Sequence, residues 1–237
     1  MKILLNLIAT NRYIWFLDKI APSIDNFFFP SDEVTVLVHS NMPIPESLRS
    51  HGRLNFILNE ISHEEWPFTT LKRFHYFLKA ENILEKHDYC FYIDVDSIFI
   101  KEINHSNISP SGMFGTIHPC LFNGPGTPER NAGSLAYIPE GSNNRYFCGG
   151  FFGGYSKDFI ETSKKIKSNI DEDLSSGVIA VWHDESHLNH FFFYNPPKIV
   201  FDHPFAVAEN LTNETENSHI KFLDKSTIGG HDYFRGI

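Results

Sequence analysis

Three short apolar runs set the first constraint on the fold. Residues 2–9 (KILLNLIA), 33–39 (EVTVLVH) and 89–93 (YCFYI) are five to eight residues long and rich in branched or aromatic side chains, which is the signature of buried strands. Between them lie segments of helical period. Residues 12–28 form one such segment, stopped before Pro30. Residues 69–86 form another, with Leu71, Phe74, Phe77, Leu78 and Leu84 on one side, and predict a single long amphipathic helix. Further strands are expected at 55–61 and 113–118, and helices at 157–170 and 184–193. Residues 146–152 are apolar around CGGFFGG, and residues 119–135 (PCLFNGPGTPERNAGSL) have the Gly/Pro/Asn content of a loop. After Pro204 the pattern weakens. Strands alternating with helices define an α/β class, a Rossmann-like mixed sheet flanked by helices. With 237 residues, 41% of them apolar, and neither repeat nor linker, one domain over 1–237 is expected.

Composition narrows the partners. A net charge of −9 argues against nucleic acid, which needs a basic face, yet permits a small anion held by a few local cations. No apolar run approaches the roughly 18 residues of a membrane span. The N-terminal MKILLNLIAT reads as a strand, because its apolar run is short and lacks a small-residue cleavage site. Cys90, Cys120 and Cys148 form no CxxC pair, as expected of reduced thiols in a cytoplasmic protein.

Two acidic clusters carry the chemistry. In FYIDVDSIFI (91–100), Asp94 and Asp96 end a buried strand. They can be solvated strand-end acids. They can be the nucleophile motif of a haloacid-dehalogenase-type phosphatase, although Ile98 stands where that motif has Thr or Val. Or they can hold a divalent cation against a nucleotide diphosphate, since hard carboxylate oxygens suit Mg²⁺ or Mn²⁺ and a bridging cation offsets their repulsion. The second cluster is AVWHDESHLNHFF (180–192). His183 and His187 share a helix face, but Asp184 stands where a zinc protease has Glu, and no third ligand is indicated. Carbohydrate chemistry is the alternative: a carboxylate against an anomeric carbon of oxocarbenium character, a second acid on sugar hydroxyls, and Trp182 as a flat face for the ring. A helix N-terminus rich in acids is the bland reading.

Seven stretches, in order, resemble the family 6 glycosyltransferases, the group of the blood-group A/B transferases and α-1,3-galactosyltransferase: IATNRY (8–13), TLKRFH (70–75), YIDVD (92–96), FGTIHP (114–119), AYIPEG (136–141), CGGFFGG (148–154) and VWHDESHLN (181–189). The resemblance implies a GT-A fold and retaining transfer from UDP-GalNAc or UDP-galactose to a β-galactoside-type acceptor, with an α-1,3 linkage. It implies that Ile8, Ala9, Thr10 and Tyr13 cradle uridine, that Arg73 reaches the donor, and that Asp94 and Asp96, with Val95 between them, hold Mn²⁺ (or Mg²⁺) on the diphosphate. Cys148, Gly149 and Gly150 would line the pocket for the sugar's 2-substituent, where Gly150 favours GalNAc. His118 and Trp182 would contact the acceptor, with Glu185 between acceptor and donor. Asp184 would bind donor hydroxyls, and Glu185 would be the catalytic carboxylate. A tail over about 220–237, through Lys225 and Arg235, would close on the diphosphate. The membrane anchor and stem of vertebrate members are not expected, as in short bacterial relatives. The acceptor loop departs from the family: HPCLF for HPGFY at 118–122, and PERN for YERR at 128–131. A sugar-nucleotide-binding module without catalysis is the competing reading; the presence of Asp94, Asp96, Asp184 and Glu185 weighs against it.

Overall fold

A computed structural model describes residues 1–48, 52–141 and 145–235. In chain order its elements are β1 (Lys2–Ile8), α1 (Leu17–Phe27), β2 (Glu33–Ser40), β3 (Leu54–Glu60), α2 (Phe68–Leu71), α3 (Arg73–Lys79), α4 (Glu81–Leu84), β4 (Tyr89–Ile93), β5 (Ser97–Phe99), β6 (Met113–Ile117), β7 (Phe147–Tyr155), α5 (Ser156–Ser175), α6 (His183–Tyr194), β8 (Ile199–Phe201), β9 (Ala206–Ala208), β10 (Ile220–Phe222) and α7 (Gly230–Arg235).

Seven strands form one sheet in the order β3-β2-β1-β4-β7-β6-β8. The half built from β3, β2, β1 and β4 is parallel. Strand β7 then runs antiparallel to both β4 and β6, and β8 is parallel to β6. The sheet is mixed, as predicted. Alternation along β1 shows why it lies in the middle: Ile3, Leu5 and Leu7 enter one core and Leu4 the other, so a strand covered on both faces reads as continuous apolar sequence. One core packs α1 and the Phe28, Phe29, Phe91, Phe99 and Phe151 rings against the sheet. The other packs α3 and α5 through Phe74, Phe77, Phe152 and Phe159.

Two expectations change. The long helix over 69–86 is three short helices, interrupted at Lys72 (φ −90°, ψ 16°) and Ala80 (φ −112°, ψ 25°). At each interruption an N–H turns to the carbonyl three residues back, His75 to Lys72 and Ile83 to Ala80. Leu71, Phe74, Phe77 and Leu84 are all buried as the spacing required, so packing, not helical continuity, is what the pattern encoded. Likewise 12–28 begins as a 3₁₀ segment, Asn11–Phe16, before α1. The weakly patterned region after Pro204 contains β9 and β10, which join β5 in a three-stranded sheet. Strand β10 pairs antiparallel with β5, Phe222 opposite Ser97. This brings the tail alongside the acid pair.

Candidate active site

The end of β4 delivers the acid pair to a cleft. Asp94 donates its N–H to the Gly150 carbonyl at 2.9 Å, which anchors it to β7, whereas the Asp96 carbonyl accepts from Leu223, just beyond β10, at 2.8 Å. Val95 points into the core and also reaches the cleft wall. The cleft is lined by Ile8, Thr10 and Tyr13 from the end of β1, by Glu64, Trp66 and Thr70 before and within α2, by Arg73, and by Lys225, His231 and Arg235 from the tail. Ala9 is absent from this wall: it is fully buried, its backbone tied to His39. Tyr13 packs on Phe234 at 5.3 Å, and the Lys225 ammonium lies 5.9 Å from the Tyr13 ring centre. The Arg235 guanidinium stacks over Trp66 at 4.8 Å. In a chain of net charge −9, this cleft gathers three cations, Arg73, Lys225 and Arg235, beside the acids Glu64, Asp94 and Asp96.

Arg73 is the hub. It is buried, and its guanidinium lies 3.1 Å from Asp184 Oδ2 and 3.5 Å from Asp94 Oδ1. It also donates to the Gly149 carbonyl and stacks at 4.1 Å on Tyr92, whose hydroxyl donates to Asp94 Oδ1 at 2.6 Å. One side chain therefore joins Asp94 at the end of β4 to Asp184 at the start of α6. Burial pushes the Asp184 carboxyl up to about 7, even against the pull of Arg73. The same desolvation opposes charge on Arg73, yet Asp184 and its neighbours outweigh it and hold the guanidinium firmly protonated. Two buried atoms here, Arg73 Nε and Asp184 Oδ1, have no protein partner; buried polar groups are nearly always bonded, so both are available to a ligand.

Glu185 is held from two sides: Gly149 N–H donates to Oε2 and the Tyr146 hydroxyl to Oε1, each at 2.7 Å. Burial raises its carboxyl above the ordinary range, and these two donors oppose the shift. Cys148 is buried beside it, its thiol pushed up to about 12 by burial, and so inert as a nucleophile. The glycines alternate across β7. Gly149 faces Arg73 and Glu185, while a Cβ on Gly150 would lie 2.7 Å from Phe222 Cε1 and 3.1 Å from Asp94 Oδ2. His118 and Trp182 do not line this cleft. His118 donates its N–H to the Tyr146 carbonyl at 2.9 Å, and Trp182 is 47% exposed. His187 is buried at 3.5 Å from Asp173, and among the described residues no three acids, histidines or cysteines cluster as a metal set.

Lys225, in the tail, pairs with Asp96. Burial holds its ammonium below the ordinary value, against the attraction of Asp94. A metal bound by one or two carboxylates plus substrate phosphates needs no larger protein set. Asp94, whose carboxylate is 36% exposed, and Asp96, whose carboxylate faces Lys225, offer hard oxygen donors of that kind. Sequence reasoning missed Trp66, Tyr92, Tyr146 and His231. Tyr92 and Tyr146 could have been found as the polar-tipped members of strand ends flanking the two clusters.

A half-parallel sheet whose central strand ends in this acid pair, faced by an antiparallel β7 that grips a second acid, defines a GT-A type glycosyltransferase. The chain belongs to glycosyltransferase family 6, whose family model matches residues 1–227. It is 30% identical over 212 residues to the O-antigen biosynthesis glycosyltransferase WbnI of Escherichia coli, covering 86% of this chain and 88% of that one. It is 28% identical over 214 residues to the histo-blood group ABO system transferase 1 of Rattus norvegicus (87% and 61%). It is 29% identical over 200 residues to the globoside alpha-1,3-N-acetylgalactosaminyltransferase 1 of Gallus gallus (81% and 58%). The chain thus spans about three fifths of the rat and chicken relatives. No helix among the described residues is long and apolar enough to cross a membrane.

Proposed function

We propose that the protein transfers GalNAc, or galactose, from its UDP-sugar to a β-galactoside-type acceptor with retention, forming an α-1,3 linkage. The observation that carries this reading is the Arg73 hub: its guanidinium pairs with Asp94 on the diphosphate side and with Asp184 on the sugar side, and it bonds the carbonyl of Gly149, whose N–H holds Glu185. Ile8, Thr10 and Tyr13 take the uridine, and Arg73, Lys225 and Arg235 take the diphosphate. The orphaned Asp184 Oδ1 accepts from a donor-sugar hydroxyl. A divalent cation, Mn²⁺ or Mg²⁺, held by Asp94 and Asp96 would neutralise the leaving diphosphate. As the bond from C1 to the diphosphate oxygen breaks, its electron pair leaves with UDP and positive charge grows at the anomeric carbon. Glu185 stabilises that charge, and the acceptor oxygen bonds to C1 as its proton passes to the departing diphosphate oxygen. His118 and Trp182 bound the acceptor. Residues from about 220 onward act as a lid that excludes water from the donor. The three unpaired cysteines are in keeping with residence in the cytoplasm.

The test is an acceptor screen with UDP-GalNAc and UDP-galactose in the presence of Mn²⁺, using fucosylated and unfucosylated β-galactosides, with the linkage assigned by NMR. An α-1,3-linked product is expected, and Glu185→Gln should cut turnover to a small residual rate while UDP still binds. UDP binding without transfer to any acceptor, or full turnover by Glu185→Gln, would overturn the proposal.

A further inference from the structure

Tyr146 stands between the acceptor-side loop and Glu185, and its contacts are unusual on both sides. It is 1% exposed. Its hydroxyl donates to Glu185 Oε1 at 2.7 Å, and Gly149 N–H takes the other carboxylate oxygen at the same distance. Two donors on two oxygens fix both the position and the orientation of a carboxylate. The phenol is suited to the task. Burial, reinforced by the Glu185 charge, drives its ionisation far above the ordinary value, so it gives a hydrogen bond without giving up its proton. On the other side of the ring, Gly126 (φ +68°) lies so close that a Cβ there would be 2.2 Å from Tyr146 Cγ. That glycine belongs to the loop 119–135, and Leu121, Phe122, Pro125 and Tyr146 line a cavity of about 400 Å³ under it. The backbone around Tyr146 is equally constrained. Its carbonyl accepts from His118 N–H. The next residue, Phe147, exchanges two hydrogen bonds with the Asn189 side chain of α6, each 2.8 Å, and that amide also donates to the Glu185 carbonyl at 2.9 Å.

We propose that Tyr146 is a positioning residue for the transfer reaction, which holds Glu185 in register and couples the placement of that carboxylate to the loop 119–135. The proposal rests on the catalytic reading of Glu185. The Tyr146 side chain packs against the loop glycine through its ring and hydrogen-bonds the carboxylate through its hydroxyl. A loop rearranged by an acceptor moves the ring, and the ring moves the carboxylate. Without the phenol, Glu185 keeps the Gly149 bond but can swing about it.

The test separates kcat from KM. Loss of a hydrogen bond to a charged group predicts that Tyr146→Phe lowers kcat by about ten- to hundredfold, with donor KM and UDP affinity (by calorimetry) unchanged. In the Glu185→Gln background the same substitution should cost nothing further in residual turnover or donor hydrolysis, because residues that act as a unit are not additive. A purely structural role would cost the same in both backgrounds. Unchanged kcat in Tyr146→Phe, or equal losses in both backgrounds, overturns the inference. If Tyr146→Phe does not fold, 3,5-difluorotyrosine at 146 carries the test: the ring is retained and the donor strengthened, so kcat must change while donor KM does not, and an unchanged kcat overturns the inference. If Glu185→Gln itself turns over normally, the underlying reading has failed instead, and the two failures remain distinct.

Discussion

Removing Arg73 should reveal how much the site costs the fold. In Arg73→Met the apolar volume is largely kept, but Asp184, 1% exposed, loses the cation 3.1 Å away. Breaking a buried pair from one side costs up to about 3–5 kcal/mol where the group left behind stays charged, and Asp184 escapes part of that cost at low pH by taking up a proton. The cost depends on pH. Asp184 already titrates at about 7 with Arg73 in place, against about 3.9 in an unfolded chain. A carboxyl raised on folding takes up a proton on folding, so its contribution to stability is complete below the unfolded value and is lost as pH rises through the folded one. In the native protein that loss runs from about pH 4 to pH 7 and then levels. In Arg73→Met the folded value climbs further, so stability keeps falling above pH 7 by about 1.4 kcal/mol per pH unit, roughly 2 kcal/mol by pH 8.5. Urea unfolding followed by tryptophan fluorescence at pH 5.5, 7.0 and 8.5 measures this. The double variant Arg73→Met/Asp184→Asn isolates the cause: it should regain much of the loss and drop the extra alkaline slope. A cost for Arg73→Met under about 1 kcal/mol, or the same slope in the double variant, would refute the reasoning.

Three further outcomes are expected. Lys225→Met, which frees Asp96, should tighten Mn²⁺ binding in the absence of UDP by about tenfold, roughly 1.4 kcal/mol, and weaken it when UDP is present; paramagnetic resonance of free Mn²⁺ reads both, and unchanged affinities would count against a shared seat. Gly150→Ala places a methyl against Phe222 and Asp94, and so should lower the ratio of kcat/KM for UDP-GalNAc over UDP-galactose; a ratio that rises would show that the 2-substituent lies elsewhere. Exhaustive removal of divalent cations by EDTA should abolish transfer, and Mn²⁺ should restore it; full turnover after chelation would exclude the metal reading of Asp94 and Asp96.

What could be read along the chain depended on the length over which a pattern is expressed. Strands β1, β2 and β4 are five to eight residues long and rich in branched or aromatic side chains, enough for composition to identify them. Strands β5, β9 and β10 have three residues each, fewer than two alternations, so no period exists to detect. Their sheet is nonetheless what brings the tail to the acid pair. The interruptions at Lys72 and Ala80 were invisible for a different reason: the buried face continues through them, and the break lies only in the backbone. In the site, the residues carried over from the resemblance arrive from β1, α3, β4, β7, α6 and the tail. Arg73 and Asp184 are 111 positions apart (184 − 73) yet in contact, and no local pattern could have joined them. Ala9 was the reverse case, a member of a recognisable stretch whose side chain turns into the core.

The opening pair of acids, one residue apart, are not equivalent, and the fold explains why. Asp94 is secured by the large sheet and Arg73: its N–H to β7 and its carboxylate to Tyr92 and Arg73. Asp96 is secured by the tail: its carbonyl to Leu223 and its carboxylate to Lys225. None of these Asp94 contacts comes from the tail, and both of the Asp96 contacts do. Two like charges side by side demand compensation, and the chain compensates them from opposite directions. Arg73 is buried against Asp94 and Asp184, whereas the cation on Asp96 comes from the tail, so the two acids of the pair answer to different parts of the fold.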